Sequence, residues 1–381
     1  MADVNLADYL AGLWYYGPAL YVDPSDPYAK FSTIAEAITY LSDNSLDGVI
    51  YLMNGTHTCS GAISLPDQNI AIIGQSQGGA IVQNNAGNHL FTIYNCTSSY
   101  TFQGFTIDSQ NSGTYTTMIY AYGSAAANNT ASLQITNVIF DLEDDGTHGS
   151  TDGDIAIHLD TGQDGAVTIS NCIVNGGSYG FYVDDVAHDI DIWTNRLNDQ
   201  TFRGMYIYST DDVRMYNNFI NDFLYYGIYA LTCNGLIISG NRCIGKNDSL
   251  SGDKNAYGIY LQSVTDSVIQ GNFITIDNSR TETSTLQLRG IVAYTSTDNN
   301  FILNNGIILD NNQTGVQSIG FYFYYADSNF LSYNSVDGIY DTANQLALYC
   351  YISSGNYGTG NISMNTNGES GTCGTIGWDH Y

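Results

Sequence analysis

The chain has 381 residues, with 9 Lys and Arg against 37 Asp and Glu, so its formal net charge is −28. This negative field repels polyanions and offers no grip on phosphate, which disfavours nucleic acid, anionic polysaccharides and anionic lipid surfaces as partners. Neutral glycans and divalent cations remain compatible with the charge. Aromatic residues make up 13% of the chain, and this content disfavours intrinsic disorder.

The N-terminal sequence, Met1 to Leu6, has neither a basic segment nor a long apolar segment, so no signal peptide is expected. No apolar run approaches the length of a transmembrane helix, and membrane insertion is not expected. A protein that acts outside cells without a secretion signal would be released by lysis as part of a virus particle; the alternative is a missing or trimmed signal. An extracellular or virion location is therefore predicted. The cysteines are interpreted as small buried hydrophobic residues: Cys59, Cys96, Cys172, Cys233, Cys243, Cys350 and Cys373.

In chain order, residues 1–30 are predicted to form an N-terminal arm, because three prolines interrupt regular structure there. A capping helix is predicted from Ser32, as its N-cap, to Leu41, because the apolar residues recur at helical spacing. Residues 31–99 comprise this helix and the first coils. Short strands are expected within them at Gly48–Leu52, Ile63–Leu65, Ile70–Ile73 and Ala80–Val82.

Further along the chain, one short sequence motif occurs six times. The copies begin at Gly180, Gly204, Gly227, Gly258, Gly290 and Gly320, and each ends 14 or 15 residues later, at Asn195, Asn218, Asn241, Asn272, Asn305 and Asn334. The spacing between successive glycines varies from 23 to 32 residues, so insertions are confined to one part of the repeat. This pattern is typical of a solenoid, in which each repeat stacks on the next.

The repeat predicts an all-β protein, because hydrophobic residues alternate with Tyr after each glycine, as in Gly258-Ile259-Tyr260-Leu261. Coils of about 23 residues favour a right-handed parallel β-helix over residues 100–345, with the asparagines stacked into a ladder at one turn. Asn137 and Asn171 are placed at the same turn of earlier coils. An antiparallel sandwich is disfavoured, because sandwiches do not repeat a strand-to-turn distance in this way. Residues 346–381 are assigned to the last coil and a C-terminal tail.

The N-terminal segments Tyr21-Val22-Asp23, Phe31–Ile38, Val49–Leu52 and Ile70–Gly74, together with the repeats, resemble the pectin-lyase-like superfamily over about residues 20–345. The resemblance implies a right-handed parallel β-helix capped by an N-terminal amphipathic helix. Phage tailspikes and fibres share this fold and are commonly trimers, so a homotrimer or contact with other virion proteins is implied. Trp378 and Tyr381, large apolar groups in a polar tail, are predicted to lie at subunit contacts.

Rungs of a parallel sheet lie about 4.8 Å apart, so the tyrosines of successive motifs should form a column on the outer face of the sheet. Its members are Tyr182, Tyr206, Tyr229, Tyr260 and Tyr322, interrupted by Val292, and Tyr208 belongs to a second column. Such a row suits stacking on sugar rings, a protein interface, or packing beneath inserted loops. These tyrosines are the predicted binding residues.

Acidic residues lie beside this column. In the predicted register His158 stacks on Tyr182 of the next rung, and Asp160 stacks on Asp184 of that rung. Asp185 is adjacent to Asp184 in the sequence. Glycoside hydrolysis requires two carboxyl groups, so Asp160, Asp184, Asp185 and His158 are candidate catalytic residues. The alternative is that these acids merely occupy turns or bind a cation there, since Asp is abundant in this chain.

Two functions follow. The first is a rigid recognition module of a virion appendage or cell surface that contacts a glycan or a partner protein through the tyrosine face. The second is a polysaccharide-cleaving glycoside hydrolase or lyase with an Asp-based site. The first is favoured, because the sequence carries none of the motifs of polygalacturonases, pectin methylesterases or pectate lyases. No cofactor or metal motif is present, although Ca²⁺ at the Asp-rich loops is compatible with the charge.

Overall fold

The computed structural model describes residues 17–85, 89–110, 116–124, 129–142, 153–186, 189–246, 255–278, 287–311, 317–338, 345–364, 369–371 and 374–380. This part of the chain is an all-β, right-handed parallel β-helix with one short helix near its N-terminal end. The predicted fold class is therefore confirmed. The predicted insertions, at Gly245–Ala256, Asn278–Leu288 and Asp310–Ser318, fall largely outside the described residues, as do residues 1–16.

The described strands of the coils form three parallel stacks, which we name sheets A, B and C; B and C are joined into one sheet at the C-terminal end. Sheet A contains Ile63–Leu65, Phe91–Tyr94, Thr117–Tyr122, Ile155–Leu159, Tyr179–Asp184, Arg203–Tyr208, Tyr226–Asn234, Ala256–Thr265, Gln287–Tyr294, Gln317–Tyr324, Gln345–Tyr351 and Glu369–Gly371. Sheet B contains Ala19–Val22, Gly48–Leu52, Ile70–Gly74, Ser99–Gln103, Ser132–Thr136, Val167–Ser170, Ile190–Trp193, Arg214–Tyr216, Ile237–Ser239, Val268–Gln270, Phe301–Leu303 and Phe330–Ser332.

Sheet C contains Gly55–Cys59, Ala80–Asn84, Thr106–Ser109, Ile139–Asp141, Ile173–Asn175, Arg196–Asn198, Phe219–Phe223, Arg242–Lys246, Phe273–Asn278, Gly306–Asn311 and Ser335–Gly338. Two longer strands continue both sheets B and C at the C-terminal end, Asn356–Met364 and Gly374–His380. Alternate residues of the strands point inward and form one continuous apolar core along the axis. Within the predicted N-terminal arm, Ala19–Val22 pairs with Gly48–Leu52 in sheet B.

The helix Ile34–Asp43 packs its apolar face on the first coils, with Ile34, Ala37, Ile38 and Leu41 buried. Its N-cap is Thr33 rather than the predicted Ser32. The Thr33 hydroxyl accepts a hydrogen bond from the Glu36 amide, and the Glu36 carboxylate accepts one from the Thr33 amide, which completes a capping box. Ser32 contributes differently, by donating to the same Glu36 carboxylate.

The predicted asparagine ladder is confirmed. From Asn195 to Asn334, each side-chain amide donates to the side-chain oxygen of the next ladder residue at 2.9–3.0 Å. Asn361 extends the ladder by one further coil. All seven residues are 0–2% exposed, so the ladder satisfies polar groups of the turn inside the core.

Asn137 and Asn171 do not belong to the ladder as predicted. Each lies one residue earlier, with φ near 54°, and Cys172 occupies the ladder position of its coil, where its amide donates to Asn195. Every turn between sheets B and C from Gly104 onward has a positive φ at this preceding residue: Gly104, Asn137, Asn171, Thr194, Asn217, Gly240, Gly271, Asn304, Tyr333 and Gly360. Gly and Asn dominate there because they tolerate this conformation best.

The six repeated glycines of sheet A are explained by packing rather than by backbone conformation. None of the six has a positive φ. A Cβ at each of them would lie 2.6–2.8 Å from the carbonyl oxygen of the matching residue in the next coil, closer than real Cβ atoms approach. The glycines are therefore required by the close stacking of successive coils, which is why they define the repeat.

Replacing Gly258 with Ala is expected to destabilise the protein by about 1–3 kcal/mol, the usual penalty for overpacking a core. The added methyl carbon would lie 2.4 Å from Cγ2 of Ile274 and 2.8 Å from the Gly290 carbonyl oxygen. Denaturant unfolding followed by circular dichroism measures the effect. Gly61→Ala is the matched control, because no atom lies within 4 Å of its added carbon; equal midpoints for the two variants would refute the packing explanation.

The C-terminal tail continues the solenoid. Trp378 lies in the last strand, and its ring centroid is 5.8 Å from that of Phe321 in the same chain. Trp378 was predicted to lie at a subunit contact, but its side chain packs within its own chain. It therefore gives no reason to expect a trimer. Tyr381 falls outside the described residues, and the homotrimer itself stays a prediction.

Five of the described cysteines are buried free thiols, as interpreted from the sequence: Cys59, Cys96, Cys172, Cys233 and Cys243. Cys350 differs, because it is disulfide-bonded. Burial raises the thiol pKa of Cys172 and Cys243 to about 12, so these groups stay protonated and behave as apolar side chains. Among the described residues, no helix has the length and apolarity needed to span a bilayer.

Candidate active site on sheet A

The tyrosine column has the predicted register. On sheet A, His158 pairs with Tyr182, and the column continues through Tyr206, Tyr229 and Tyr260 to Val292, Tyr322 and Tyr349. In the other direction it includes Tyr120, which pairs with His158. The rings of Tyr206 and Tyr229 belong to an aromatic cluster outside the main core, so the column lies on the outer face.

Arg203 covers the middle of this column. Its guanidinium carbon lies 4.0 Å from the ring centroid of Tyr206 and 4.5 Å from that of Tyr229. The two tyrosines are only 9% and 8% exposed, and Arg289 covers Tyr322 in the same way, at 3.6 Å. These cation–π contacts leave no open ring face on Tyr206 or Tyr229 for a sugar. A binding role for these residues stays a prediction.

A second row lies two residues further along each strand of sheet A, and we call it the outer row. Its members are Tyr94, Tyr122, Asp160, Asp184, Tyr208, Leu231, Gln262, Tyr294, Tyr324 and Tyr351. Tyr94 and Tyr208, on the two sides of the acids, are 46% and 37% exposed. The outer row therefore presents two carboxyl groups between accessible aromatic side chains.

His158, Asp160 and Asp184 form a compact group, which we call the carboxylate cluster. One potential ligand atom from each residue lies within 4.8 Å of those of the other two. The strands fix this arrangement, because Asp160 and Asp184 follow directly on paired residues of adjacent rungs. The sequence predicted this juxtaposition of His158, Asp160 and Asp184.

The two carboxyl groups have different hydrogen-bond environments. Asp160 accepts hydrogen bonds from the Tyr120 hydroxyl at 2.5 Å and from the Thr161 amide at 2.7 Å. Asp184 accepts one longer bond, at 3.3 Å, from the Tyr182 hydroxyl. Asp160 therefore has two short hydrogen-bond donors, whereas Asp184 has one longer one.

Burial and the neighbouring charges shift the ionisation of this group. Burial, with the charge of Asp160, raises the pKa of Asp184 above its ordinary value. Burial lowers the pKa of His158 to about 4, although the charge of Asp160 opposes this effect. His158 is therefore a neutral imidazole at physiological pH, and its ring stacks on Tyr182 with centroids 4.3 Å apart.

The fourth predicted candidate, Asp185, is less well placed. Asp185 is exposed in the turn that follows the strand, with φ of 50°, and its charge makes only a minor contribution to the raised pKa of Asp184. The sequence missed Tyr120, whose hydroxyl contacts Asp160. An alignment of Met118-Ile119-Tyr120-Ala121 with Ala156-Ile157-His158-Leu159 would have placed it in the column, although its motif lacks the glycine.

Residues 155–320 match a family model described as the right-handed β-helix region. Among solved structures, the A-module of mannuronan C-5 epimerase AlgE6 from Azotobacter vinelandii is 15% identical, with a TM-score of 0.68 over 91% of this chain and 94% of that one. DFA-IIIase from Arthrobacter chlorophenolicus A6 in complex with GF2 is 14% identical, with a TM-score of 0.62 over 90% and 94%.

The surface protein and adhesin PfbA of Streptococcus pneumoniae is 13% identical, with a TM-score of 0.51 over 94% of this chain and 100% of that one. No curated protein matches the sequence. The chain thus has the right-handed parallel β-helix fold that the resemblance to the pectin-lyase-like superfamily implied. At these identities the neighbours define the fold alone, and they include both enzymes and an adhesin.

Proposed function

We propose that the protein is a polysaccharide-cleaving glycoside hydrolase whose acid and nucleophile are Asp184 and Asp160. The carrying observation is the pair of carboxyl groups on adjacent rungs, with oxygens within 4.8 Å. Retaining glycosidases hold their carboxyl groups about 5–5.5 Å apart, whereas inverting enzymes need roughly 6.5–9.5 Å to admit a water. The spacing therefore favours a retaining reaction.

Each residue has a role that follows from its contacts. Asp160, which the Tyr120 hydroxyl and the Thr161 amide hold in place by hydrogen bonds, attacks the anomeric carbon while Asp184 donates its proton to the glycosidic oxygen, so the leaving sugar departs as an alcohol. Asp184 then takes a proton from water, and the hydroxide attacks the glycosyl ester to free Asp160. The balance is one water consumed for each bond cleaved.

The substrate class follows from charge and the outer row. A net charge of −28 repels anionic polymers, so a neutral polysaccharide is favoured. Tyr94 and Tyr208 are accessible on opposite sides of the two carboxyl groups, and exposed tyrosines offer both apolar contact and a hydroxyl to a sugar. A chain lying along the outer row would place a linkage over the acids.

A recognition module is the second candidate, supported by the accessible tyrosines at both ends of the outer row, including Tyr351. Such a module would bind a glycan without cleaving it. An extracellular location is proposed for either function, because disulfides such as that of Cys350 persist in oxidising compartments.

The test is incubation of the purified protein with a panel of neutral polysaccharides of different linkage. Hydrolysis is expected to release new reducing ends, and the first product formed should retain the anomeric configuration, as followed by proton NMR. Unsaturated products would indicate a lyase instead. Saturable glycan binding without any new reducing ends would refute the hydrolase and support the recognition module.

A further inference from the structure

We propose that the carboxylate cluster also binds one divalent metal ion, of which Mn²⁺ or Zn²⁺ best fits its ligands. The site consists of one imidazole nitrogen from His158 and one carboxylate oxygen each from Asp160 and Asp184, all within 4.8 Å of one another. These atoms come from two adjacent rungs of a regular sheet, so the backbone holds them together without any loop contribution.

His158 distinguishes this group from an ordinary pair of surface acids. The side chain is 8% exposed, and its Nε2 atom is buried without a hydrogen-bond partner. A buried polar nitrogen without a partner costs free energy, and a metal ion or its bound water would supply the missing interaction. The imidazole is held between the rings of Tyr120 and Tyr182, at centroid distances of 5.0 and 4.3 Å, so its orientation is fixed before a metal arrives.

The spacing is close to that of a metal site. Ligand bonds of about 2.0–2.2 Å place two ligands of one ion at most about 4 Å apart, so side-chain shifts of less than about 1 Å would close the site. Bringing two carboxylates together is unfavourable by itself, and a cation between them removes their repulsion. Three protein ligands leave further positions for water.

The donor set selects among metals. Imidazole suits zinc and related transition metals, and carboxylates suit manganese, so one nitrogen with two oxygens fits Mn²⁺ or Zn²⁺. Ca²⁺ binds oxygen ligands almost exclusively and takes six to eight of them. We therefore expect Ca²⁺ to bind this site more weakly than Mn²⁺, in contrast to the expectation of Ca²⁺ at Asp-rich loops.

A metal in this position would occupy both carboxyl groups that the proposed hydrolysis requires. Metal binding and catalysis therefore exclude each other, and Mn²⁺ or Zn²⁺ would inhibit the enzyme. This consequence rests on the proposed function, whereas the metal site itself does not. Direct binding measurements can therefore fail or succeed independently of any activity.

The experiment is titration of the full chain with Mn²⁺ alone at neutral pH, followed by electron paramagnetic resonance of the free ion. One saturable site per chain is expected. His158→Ala and the nearly isosteric Asp184→Asn should each weaken it by more than about tenfold. Asp191→Asn, on sheet B and paired with Arg214, should leave it unchanged, and circular dichroism reports whether each variant is folded.

Several results would overturn the proposal. The first is that the wild-type chain shows no saturable binding at millimolar Mn²⁺. Another is binding that both folded variants retain, which would place the ion at other surface acids. Calcium that displaces Mn²⁺ at equal concentration would contradict the role of the imidazole. If hydrolysis is never detected but these binding results hold, the metal site stands and only the hydrolase is rejected.

Discussion

Asp184→Asn is expected to lower the rate of reducing-end release by at least about 100-fold, because general acid catalysis contributes roughly 10²–10⁴-fold. The amide is nearly isosteric with the carboxyl group but cannot deliver a proton to the glycosidic oxygen. Substrates with a good leaving group need less protonation, so an activated aryl glycoside should lose much less rate than the polysaccharide. This difference identifies the acid rather than a structural role.

Asp160→Asn is expected to abolish turnover of both substrates, because it removes the nucleophile for the first step. In Asp160→Ala, added azide should restore bond cleavage by entering the space left by the carboxylate, with formation of a glycosyl azide of inverted configuration. Asp191→Asn is the matched control, since this residue lies on sheet B in an ion pair with Arg214. Wild-type activity in either cluster variant would exclude the assignment.

Asn241→Ala is expected to destabilise the protein by about 2–6 kcal/mol, because two buried N–H donors of Asn218 lose their acceptor, at roughly 1–3 kcal/mol each. The Asn241 side-chain oxygen accepts from both the amide and the side chain of Asn218. Its side-chain nitrogen donates to the Met215 carbonyl and to Asn272. Alanine can replace none of these four bonds, and the site is too deeply buried for water to replace them easily.

Denaturant unfolding and hydrogen exchange would measure this effect at two levels. The unfolding midpoint should fall, and the backbone amide of Asn218 should lose protection while amides of the first coils keep theirs. Asn234→Ala is the matched control, because Asn234 is exposed and accepts a single side-chain bond from Thr265. If Asn241→Ala and Asn234→Ala unfold at the same midpoint, the ladder does not stabilise the solenoid.

The register of the coils was predictable from the sequence because it depends on local features that recur. The glycines mark the strands that must stack closely, and the asparagines mark one turn at a constant distance. Period-two alternation then assigns each intervening residue to a face. This is why the pairing of His158 with Tyr182, and the meeting of Asp160 with Asp184, followed from counting along the chain.

The helix N-cap and the turns of the first coils were predicted less accurately, because the residue types that mark them fit either of two neighbouring positions. Ser32 and Thr33 are both good N-cap residues, and only the backbone geometry selects Thr33. Asn137 and Asn171 were assigned to the ladder since Asn suits both that position and the preceding residue of positive φ. The structure places them at the latter.

The accessibility of the tyrosine column could not be read from the sequence. Arg203 lies five residues before Tyr208 on the same strand, and nothing in its local sequence shows that its side chain covers Tyr206 and Tyr229. Side-chain direction across neighbouring rungs depends on the packing of several coils at once. The same holds for Trp378, which looked like a free apolar group but contacts Phe321 of its own chain.

The sequence by itself determined the β-helix, its repeat, its ladder and the position of three candidate site residues, since these depend on spacing along the chain. Tertiary structure decided that Tyr120 supports Asp160 while Asp184 has only a weak donor, because those contacts join residues about forty positions apart or depend on an exact side-chain angle. It also decided that Nε2 of His158 is buried without a partner. Burial depends on how neighbouring coils pack together, so it cannot be inferred from the sequence of a single repeat.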